Sequence, residues 1–560
     1  MMAAGLDRDA RRDLFWLLLL SLALIAPGIG LRDPWPADEP RFVLIAQQML
    51  SEGNWWFPQR GVELYADKPP LFFWLLALAE RLTGGWRGAF LLPSLVSALV
   101  TVGLTWDLAR RLWGAETARW AAGALLVCAQ FVFHARRAQI DPTLLLLTTL
   151  SLYGLLRHLL LGPDWRWFIT GCFAAGLGVI TKGVGFLPLL VLLPWGWMRQ
   201  RAWHGLASIS GPHTAGRWAL GAAAFLLAIG LWLVPMLVQV HGHGGSERLA
   251  YAEEILFRQT AERFADAWVH RQPPWYFLEV VAFAWLPLSL AIPGLLAPLR
   301  RAWQAGDARI WLPLAWAGLV VLFFTLSTGK RDVYILPALP AFALAAAPFL
   351  AALAEARWLR RVAIGVYLLA AAGLIVGGLW AWFGTPDFAA RIVVARGLAP
   401  ADVRPWLLVI AIGLVLLAWL WWTRTRPLPR LLLGAQLVLF TGYGLGAYPL
   451  LDGASSSRDL MQAARIAAGP DAVIGLVGWR EQNLLQAVGP VTEFGFSATP
   501  AEQWRRALIW LRSTPEQRVL LSQADHLPDC VIRSDGIDLG RANRRAWWLI
   551  DADAVRDCRP

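Results

Sequence analysis

Long apolar stretches recur along most of this 560-residue sequence, and they constrain its fold more than any other feature. A helix needs about 20 apolar residues to cross the hydrocarbon core of a membrane. Stretches that meet or approach this length centre on residues 14–31, 89–109, 117–134, 142–161, 166–181, 184–198, 217–240, 275–298, 309–327, 333–354, 359–383, 405–423 and 430–448. The sequence therefore predicts a polytopic α-helical membrane protein with about 13 transmembrane helices.

The composition excludes an ordinary soluble protein, since 57% of the residues are hydrophobic and only 16% are charged. The formal net charge of +12 would suit a nucleic-acid partner, but short arginine-rich turns between spans explain it better. These turns contain Arg110 and Arg111, Arg157 and Arg166, Arg199 and Arg201, Arg300 and Arg301, Arg357 with Arg360 and Arg361, and Arg424 with Arg426 and Arg430. No nucleic-acid partner is expected.

The arginine turns also predict an orientation, because positive residues concentrate in cytoplasmic loops. With a cytoplasmic N-terminus, every one of these turns lies on the cytoplasmic side. The opposite face then receives the loop that follows Asp38, the segment 135–141, Lys182, the loop 241–274 and the C-terminal region. The apolar run 71–82 is short for a span, and counting it would reverse all later loops. We interpret it as an interfacial helix in a loop that covers residues 32–88.

The composition changes after residue 448, which divides the chain into a transmembrane domain (1–448) and a region 449–560. Short apolar runs at 472–478, 491–494, 518–522 and 546–553 are typical of strands, and 501–513 has helical spacing. We predict a small soluble α/β domain on the outer face. The GLVGWR sequence does not match a dinucleotide-binding motif. Cys530 and Cys558 could form a disulfide if their compartment is oxidising.

Acidic residues stand at the outer ends of predicted spans, where charge is costly and is usually retained for function. Asp38 and Glu39 are adjacent, so one carboxylate can face a cavity while the other braces the loop or caps the helix at Pro40. Asp141 directly precedes Pro142, and helix N-capping alone would explain it. Topology nevertheless places Asp141 on the same face as Asp38, so both could line one pocket.

Cationic residues are predicted on the same face. Lys68 precedes a rigid Pro-Pro pair, although a lysine at a lipid interface can simply extend towards the headgroups. Lys330 and Arg331 form a second group near Tyr334, and Arg263 supplies another cation from the loop 241–274. Together with two aspartates, these cations are suited to holding a phosphate at headgroup depth. Lys182 fits the same pattern more weakly.

Six motifs carry a resemblance to a known family when they are taken in order: DEPRF (38–42), YADKPPLFFW (65–74), RRAQIDPTLLL (136–146), TKGVGFLPLL (181–190), RFADAWVHRQPPWYF (263–277) and STGKRDVYILPALPAFAL (327–344). They resemble integral-membrane glycosyltransferases of the GT-C class. The likeness is greatest to the lipid A aminoarabinose transferases and the related protein O-mannosyltransferases.

The resemblance implies transfer of a sugar from a polyprenyl (undecaprenyl) phosphate carrier at the periplasmic face of a bacterial inner membrane, with inversion at the anomeric carbon. The acceptor is expected to be a lipid or glycan, with lipid A ahead of a protein. The implied site comprises the acidic residues Asp38, Asp141 and Glu39, and the substrate-binding residues Lys68, Arg263, Tyr334, Lys330, Arg331, Tyr65 and Arg41. One departure is Glu262, which stands where a histidine is expected.

Two further hypotheses remain open at this stage. A transporter or flippase of a lipid-linked sugar also suits many spans with buried charge, but the charges lie at one interface and no inverted repeat is detectable. His241, His243 and Glu247 could form a peripheral metal site, although their spacing is not convincing. We therefore expect neither a metal nor a cofactor besides the donor substrate.

Overall fold

The computed structural model describes residues 7–243, 245–262, 271–384, 386–396, 398 and 402–559. Most of the chain is helical. The α-helices before residue 263 are Arg8–Ile25, Glu39–Glu52, Leu71–Thr83, Trp86–Ala89, Leu92–Trp113, Ala115–Val127, Ala129–Ala135, Ile140–Leu161, Trp165–Val179, Leu192–Gln200, Thr214–His243 and Ser246–Glu253. The later ones are Tyr276–Glu279, Ile292–Ala305, Ala308–Leu326, Ala338–Ala354, Arg357–Phe383, Asp387–Arg396, Arg404–Thr423, Leu428–Gly442, Tyr448–Ser456, Arg458–Ala468, Glu481–Leu485 and Pro500–Ser513.

Each apolar stretch of the sequence coincides with helical structure, and a multi-pass α-helical membrane protein is confirmed. Within the described residues, seven helices are long and apolar enough to cross a membrane, or up to nine if two bent helix pairs each count as one span. One bent pair is Ala115–Val127 with Ala129–Ala135, which meet at 70°. The count of about 13 stays a prediction.

The apolar run after Pro70 forms the helix Leu71–Thr83, which ends at Gly84 in the left-handed conformation that favours glycine. Thirteen residues of helix are about 20 Å long, which is less than the membrane core. Phe72 and Phe73 are buried against Phe42 of the preceding helix Glu39–Glu52. The two helices therefore form one packed unit after the first long helix.

Three pairs of the predicted cytoplasmic turns are joined by side-chain contacts. Tyr153 donates a hydrogen bond to Asp107 at 2.6 Å, and Asp107 also accepts from Arg111. Further along the chain, Arg360 donates to the backbone carbonyl of Thr423. Trp197 and Trp303 stack beside two other arginine turns, with ring centroids 5.7 Å apart.

Two short strands of the first loop, β1 (Gln59–Arg60) and β2 (Glu63–Leu64), form a hairpin. The C-terminal region contains the strands β3 (Val473–Val477), β4 (Val491–Glu493), β5 (Arg518–Gln523), β6 (Ile537–Ala542) and β7 (Arg545–Ile550). They form one sheet in the order β4-β3-β5-β7-β6. β3 pairs in parallel with β4 and β5, and β7 pairs antiparallel with β5 and β6. The four predicted strand runs match β3, β4, β5 and β7, and β6 is additional. Cys530 and Cys558 form a disulfide.

Candidate functional site

Asp38 lies immediately before the helix Glu39–Glu52 and occupies its N-cap position. Its side chain makes no capping hydrogen bond. Instead, one carboxylate oxygen accepts from Arg331 Nη2 at 3.3 Å and from Gln139 Nε2 at 3.4 Å, and Arg41 Nη1 lies 3.7 Å from the other. The carboxylate is therefore held by groups from three separate parts of the chain and keeps partial exposure.

Glu39 has a different environment from its neighbour. It is fully buried and accepts two hydrogen bonds from Arg32, at 2.5 and 2.8 Å, and two from the backbone amides of Trp35 and Ala138. Burial alone would raise the pKa of the Glu39 carboxyl, but the Arg32 charge and hydrogen bonds lower it below its usual range. The structure therefore places Glu39, which was predicted as a catalytic residue, in a bracing ion pair and away from the cations around Asp38.

Asp141 forms an ion pair with Lys182, with 2.7 Å between Oδ1 and Nζ. Its interpretation as a helix N-cap is wrong, because the helix begins at Ile140 and Gln139 is the capping residue. Asp141 is instead in the first helical turn, where a negative charge interacts favourably with the helix dipole. Lys182 Nζ also lies 4.6 Å from the centre of the Tyr334 ring. Lys182 therefore contacts both Asp141 and the ring of Tyr334.

Arg331 links the two predicted aspartates. Burial would lower the pKa of its guanidinium, but the charges of Asp38 and Asp141 raise it. Its neighbour Lys330 is directed elsewhere: the ammonium group donates to the backbone carbonyls of Ser327 at 2.6 Å and Gln272 at 3.1 Å. Within the residues that the structure describes, Arg331 forms a hydrogen bond with Asp38 and Lys330 does not.

A second layer of hydrogen bonds fixes the orientation of Gln139. His134 Nδ1 lies 3.0 Å from Gln139 Oε1, which leaves the amide nitrogen directed at Asp38. His134 Nε2 lies 3.6 Å from Asp332 Oδ2. The closeness of the His134 ring is the main cause that lowers the pKa of the Asp332 carboxyl. The chain Asp332–His134–Gln139 therefore continues behind Asp38.

Arg41 approaches the second carboxylate oxygen of Asp38, and Tyr65 lies close to Arg41. Tyr65 is buried, and burial raises the pKa of its phenol. Arg41 Nε donates to Glu481 Oε1 at 2.6 Å, so this loop is joined to the C-terminal region. Arg60 is 3.6 Å from the same Glu481 oxygen.

Lys68 donates a hydrogen bond to the backbone carbonyl of Asp67 at 2.7 Å. The amide of Leu71 bonds to the carbonyl of Ile180 at 3.2 Å, which holds the Lys68 loop beside the turn that carries Lys182. Arg263 lies outside the described residues, as do the side chains of Glu262 and His243. In the part of the chain that the structure describes, no group of three or more His, Cys, Asp or Glu residues could hold a metal ion.

Four residues of this arrangement were absent from the predicted site or were given little weight: Lys182, Gln139, Arg32 and Glu481. Lys182 interrupts two apolar runs, which is a usable signal. Gln139 lies within the RRAQIDPTLLL motif. Arg32 directly follows the first apolar stretch, which is where interfacial cations are common. Glu481 carries no comparable signal, since its partner Arg41 lies 440 residues away in the sequence.

Comparisons with known proteins match these observations. The family model described as dolichyl-phosphate-mannose-protein mannosyltransferase matches residues 67–232. The chain is 33% identical over 342 residues to an undecaprenyl phosphate-alpha-4-amino-4-deoxy-L-arabinose arabinosyl transferase of Pseudomonas aeruginosa. It is 32% identical over 346 residues to arabinosyl transferase 1 of the same description from Pseudomonas fluorescens. Each match covers 58% of this chain and 58% of the relative.

The fold comparison extends over almost the whole chain. The crystal structure of ArnT from Cupriavidus metallidurans bound to undecaprenyl phosphate superposes with a TM-score of 0.71 at 21% identity, and the match covers 96% of this chain and 97% of that one. The chain therefore has the GT-C membrane fold of that structure, and its sequence is similar to those of the arabinosyl transferases.

Proposed function

We propose that this chain is a glycosyltransferase that moves a sugar from a polyprenyl phosphate carrier, undecaprenyl phosphate, to a lipid or glycan acceptor. Lipid A is the acceptor we put first, because the motifs of the sequence resemble those of the lipid A aminoarabinose transferases. The relatives that match the chain are named as arabinosyl transferases of undecaprenyl phosphate-alpha-4-amino-4-deoxy-L-arabinose, which supports the donor. The observation that carries the proposal is the cluster in which Arg331 bonds to Asp38 at 3.3 Å beside the Asp141–Lys182 ion pair.

The cations of this cluster have a direct chemical use. When the bond between the sugar and the carrier breaks, negative charge develops on the lipid phosphate, and no proton is needed for it to leave. Fixed cations in a site with little water stabilise such charge strongly. Lys182 and Arg331 are the cations of the cluster. The family resemblance adds Lys68, Arg263 and Tyr334 as residues that hold the carrier phosphate.

Asp38 is suited to act on the acceptor. Its carboxylate is exposed enough to meet a substrate, and Gln139, Arg331 and Arg41 hold it in a fixed position. A hydroxyl acceptor would need a general base within hydrogen-bond reach. An acceptor phosphate has a second pKa of about 6 and is already nucleophilic at neutral pH. With such an acceptor, Asp38 would orient the nucleophile without deprotonating it.

We further propose that transfer inverts the anomeric carbon and needs no metal ion. Attack on the face of the sugar opposite the departing phosphate would produce inversion. Arg331 and Lys182 already lie beside the two aspartates. These side chains can supply the positive charge for which other phosphate-processing sites use a divalent cation.

The proposed topology has about 13 spans in a bacterial inner membrane, with the site and a soluble C-terminal α/β domain in the periplasm. Clustered arginine turns support this orientation. The Cys530–Cys558 disulfide supports it as well, because disulfides persist in oxidising compartments.

Thiol labelling tests this orientation. Cys128 and Cys172 are buried, so a cysteine placed at the exposed Ile466 should react with an impermeant reagent from the periplasm. Labelling from the cytoplasm alone would contradict the topology.

The activity itself is tested with purified protein, undecaprenyl-phosphate-linked aminoarabinose and lipid A. We expect Asp38→Asn to reduce turnover by about a hundredfold, because the variant loses the charge that orients or deprotonates the acceptor. Asp471→Asn is the matched control, because Asp471 is an exposed aspartate in the C-terminal region. Full activity of Asp38→Asn would remove Asp38 from the mechanism. If the protein, placed in lipid vesicles, moves the intact donor across the vesicle membrane and does not transfer its sugar, it is a flippase.

A further inference from the structure

A small cavity is lined in part by Glu39, the residue that follows Asp38. Its volume is about 200 Å³, and its wall includes Glu39, Arg136, Arg137 and Asn543. One water molecule occupies about 30 Å³ in the liquid. The cavity therefore has room for one compact polar group such as a phosphate.

The cavity has an excess of positive charge. Three arginines line it, namely Arg32, Arg136 and Arg137, and the lining contains one carboxylate, Glu39. Glu39 is fully engaged by Arg32 through two hydrogen bonds. Two positive charges are therefore left without a matching carboxylate in the cavity wall.

Nearby acids do not remove this excess. Asp33 and Asp452 are close in space, but each is matched by an arginine outside the cavity. Arg458 Nη1 lies 2.9 Å from Asp33 and 3.1 Å from Asp452. Arg87 Nη2 lies 3.1 Å from Asp452. These four residues form a balanced group of their own.

Arg136 is only 3% exposed and has no acidic partner within the described residues. Its guanidinium donates to the backbone carbonyls of Leu24 at 2.8 Å and Pro27 at 2.6 Å, which accounts for two of its nitrogens. Its Nε is buried without a hydrogen-bond partner, and so is the Nε of Arg32, which is 2% exposed. Burying a charge or a donor without a partner is costly.

Arg137 is the accessible cation of the cavity. Its guanidinium lies 5.3 Å from the centre of the Phe133 ring. It forms no ion pair within 4.0 Å among the residues that the structure describes. The hydroxyl-bearing rings of Tyr443 and Tyr448 line the cavity as well. Arginine forks and hydroxyl groups are the donors that proteins use to bind phosphate.

We propose that this cavity is a second anion site that binds a phosphate monoester group, with Arg137 as its principal ligand. The site is distinct from the cluster around Asp38, because its lining does not include Asp38, Asp141, Lys182 or Arg331. The ligand could be free phosphate or the headgroup of a lipid. Tyr443 and Tyr448 lie in the last turns of the apolar stretch 430–448, which places the cavity at headgroup depth.

Binding is tested by equilibrium dialysis of the purified full-length protein in detergent with radiolabelled inorganic phosphate. Because the cations near Asp38 also attract phosphate, the measurement is made in a Lys182→Met background as well as in the unmodified protein. We expect saturable binding in both. Arg137→Gln should weaken this binding at least about tenfold, since it removes a charged hydrogen-bond donor. Arg426→Gln, an exposed arginine in a distant turn, is the matched control.

Competition distinguishes the two sources of the ligand. Unlabelled inorganic phosphate and a short-chain phosphatidic acid are each used to displace the radiolabelled phosphate. Stronger displacement by phosphatidic acid would identify a lipid headgroup as the ligand. Equal displacement by the two competitors would identify free phosphate. Arg137→Lys keeps the positive charge and replaces Arg137→Gln in the binding measurement if Arg137→Gln does not fold. It should bind phosphate more weakly than the unmodified protein, because it lacks the planar fork. Absence of saturable binding, or unchanged affinity in the folded Arg137 variants, would overturn the proposal.

Discussion

Arg41 Nε lies 2.6 Å from Glu481 Oε1, although the two residues are 440 positions apart. Arg41 is also 3.7 Å from Asp38. Glu481 therefore connects the C-terminal region to the carboxylate that we place at the centre of the site. Around this contact, Val62 N donates to Glu493 and Ser497 N donates to Glu63. The C-terminal region thus holds the first loop at several points.

Glu481→Gln should reduce kcat/KM while the protein stays folded. Removing the charge weakens the attachment of Arg41, so Arg41 can shift its position against Asp38. We expect a loss of about tenfold, which corresponds to about 1.4 kcal/mol. Steady-state kinetics and thermal unfolding are measured together. Glu516→Gln, an exposed glutamate in the same region, is the control. A fall in Tm with unchanged kinetics would show that Glu481 is only structural.

Asp141 and Lys182 should depend on each other for stability. Asp141→Asn leaves the Lys182 charge without its partner, and Lys182→Met leaves the aspartate alone. Both single variants should lower the Tm, and the double variant should recover part of the loss. The coupling free energy in a double-mutant cycle should be about 1–3 kcal/mol. Additive effects would show that the ion pair contributes nothing to stability.

Activity should follow a different pattern in the same series. The double variant is expected to remain inactive even where its Tm recovers, because both charges are assigned to the site. Recovery of activity in the double variant would show that the ion pair acts only on stability.

Lys68→Ala should weaken binding of undecaprenyl phosphate by about tenfold, since one charge-assisted hydrogen bond to phosphate is lost. Arg263→Ala should have a similar effect, as the family resemblance implies. Affinity for the free carrier is measured with purified protein, which separates binding from turnover. Lys68→Arg keeps the charge and should retain most of the affinity. Unchanged affinity in both alanine variants would contradict a shared phosphate site.

Stability should fall at acid pH through Glu39. An unfolded glutamate binds its proton near pH 4.3, whereas the folded carboxyl holds a lowered pKa beside Arg32. The stabilisation is therefore fully present above about pH 4.3 and is lost as the pH falls through the folded pKa. Glu39→Gln should lower the Tm at neutral pH and flatten this acid dependence. If the Tm of Glu39→Gln falls with acid pH as steeply as that of the unmodified protein, the pH dependence belongs to other carboxyl groups.

The sequence predicted the helical membrane fold well, because apolar length and arginine placement are direct consequences of the bilayer. It also indicated which face carries Asp38, Asp141 and Arg331. Pairing was harder to predict. The adjacent carboxylates of Asp38 and Glu39 differ because Arg32 reaches only Glu39, and this follows from packing. Adjacent Lys330 and Arg331 likewise diverge, since Lys330 donates to two backbone carbonyls.

The contact between the C-terminal region and the first loop was not predicted from the sequence. Glu481 approaches Arg41 only because the sheet region is positioned over the first loop. Asp141 illustrates the reverse problem. Its place before Pro142 is typical of a helix N-cap, but the helix begins at Ile140, two residues before Pro142, and the carboxylate pairs with Lys182. Local patterns therefore predicted the elements, and tertiary packing determined the partners.

The mass of lipid A is the most direct test of the central claim. Lipid A is extracted from cells that lack this protein and from the same cells supplied with the unmodified chain or with Asp38→Asn. Lipid A that carries one added sugar should be present in the cells supplied with the unmodified chain. It should be absent from the cells that lack the protein and from the cells supplied with Asp38→Asn. Identical lipid A masses in all three, in cells that make the donor, would contradict the assignment of lipid A as the acceptor.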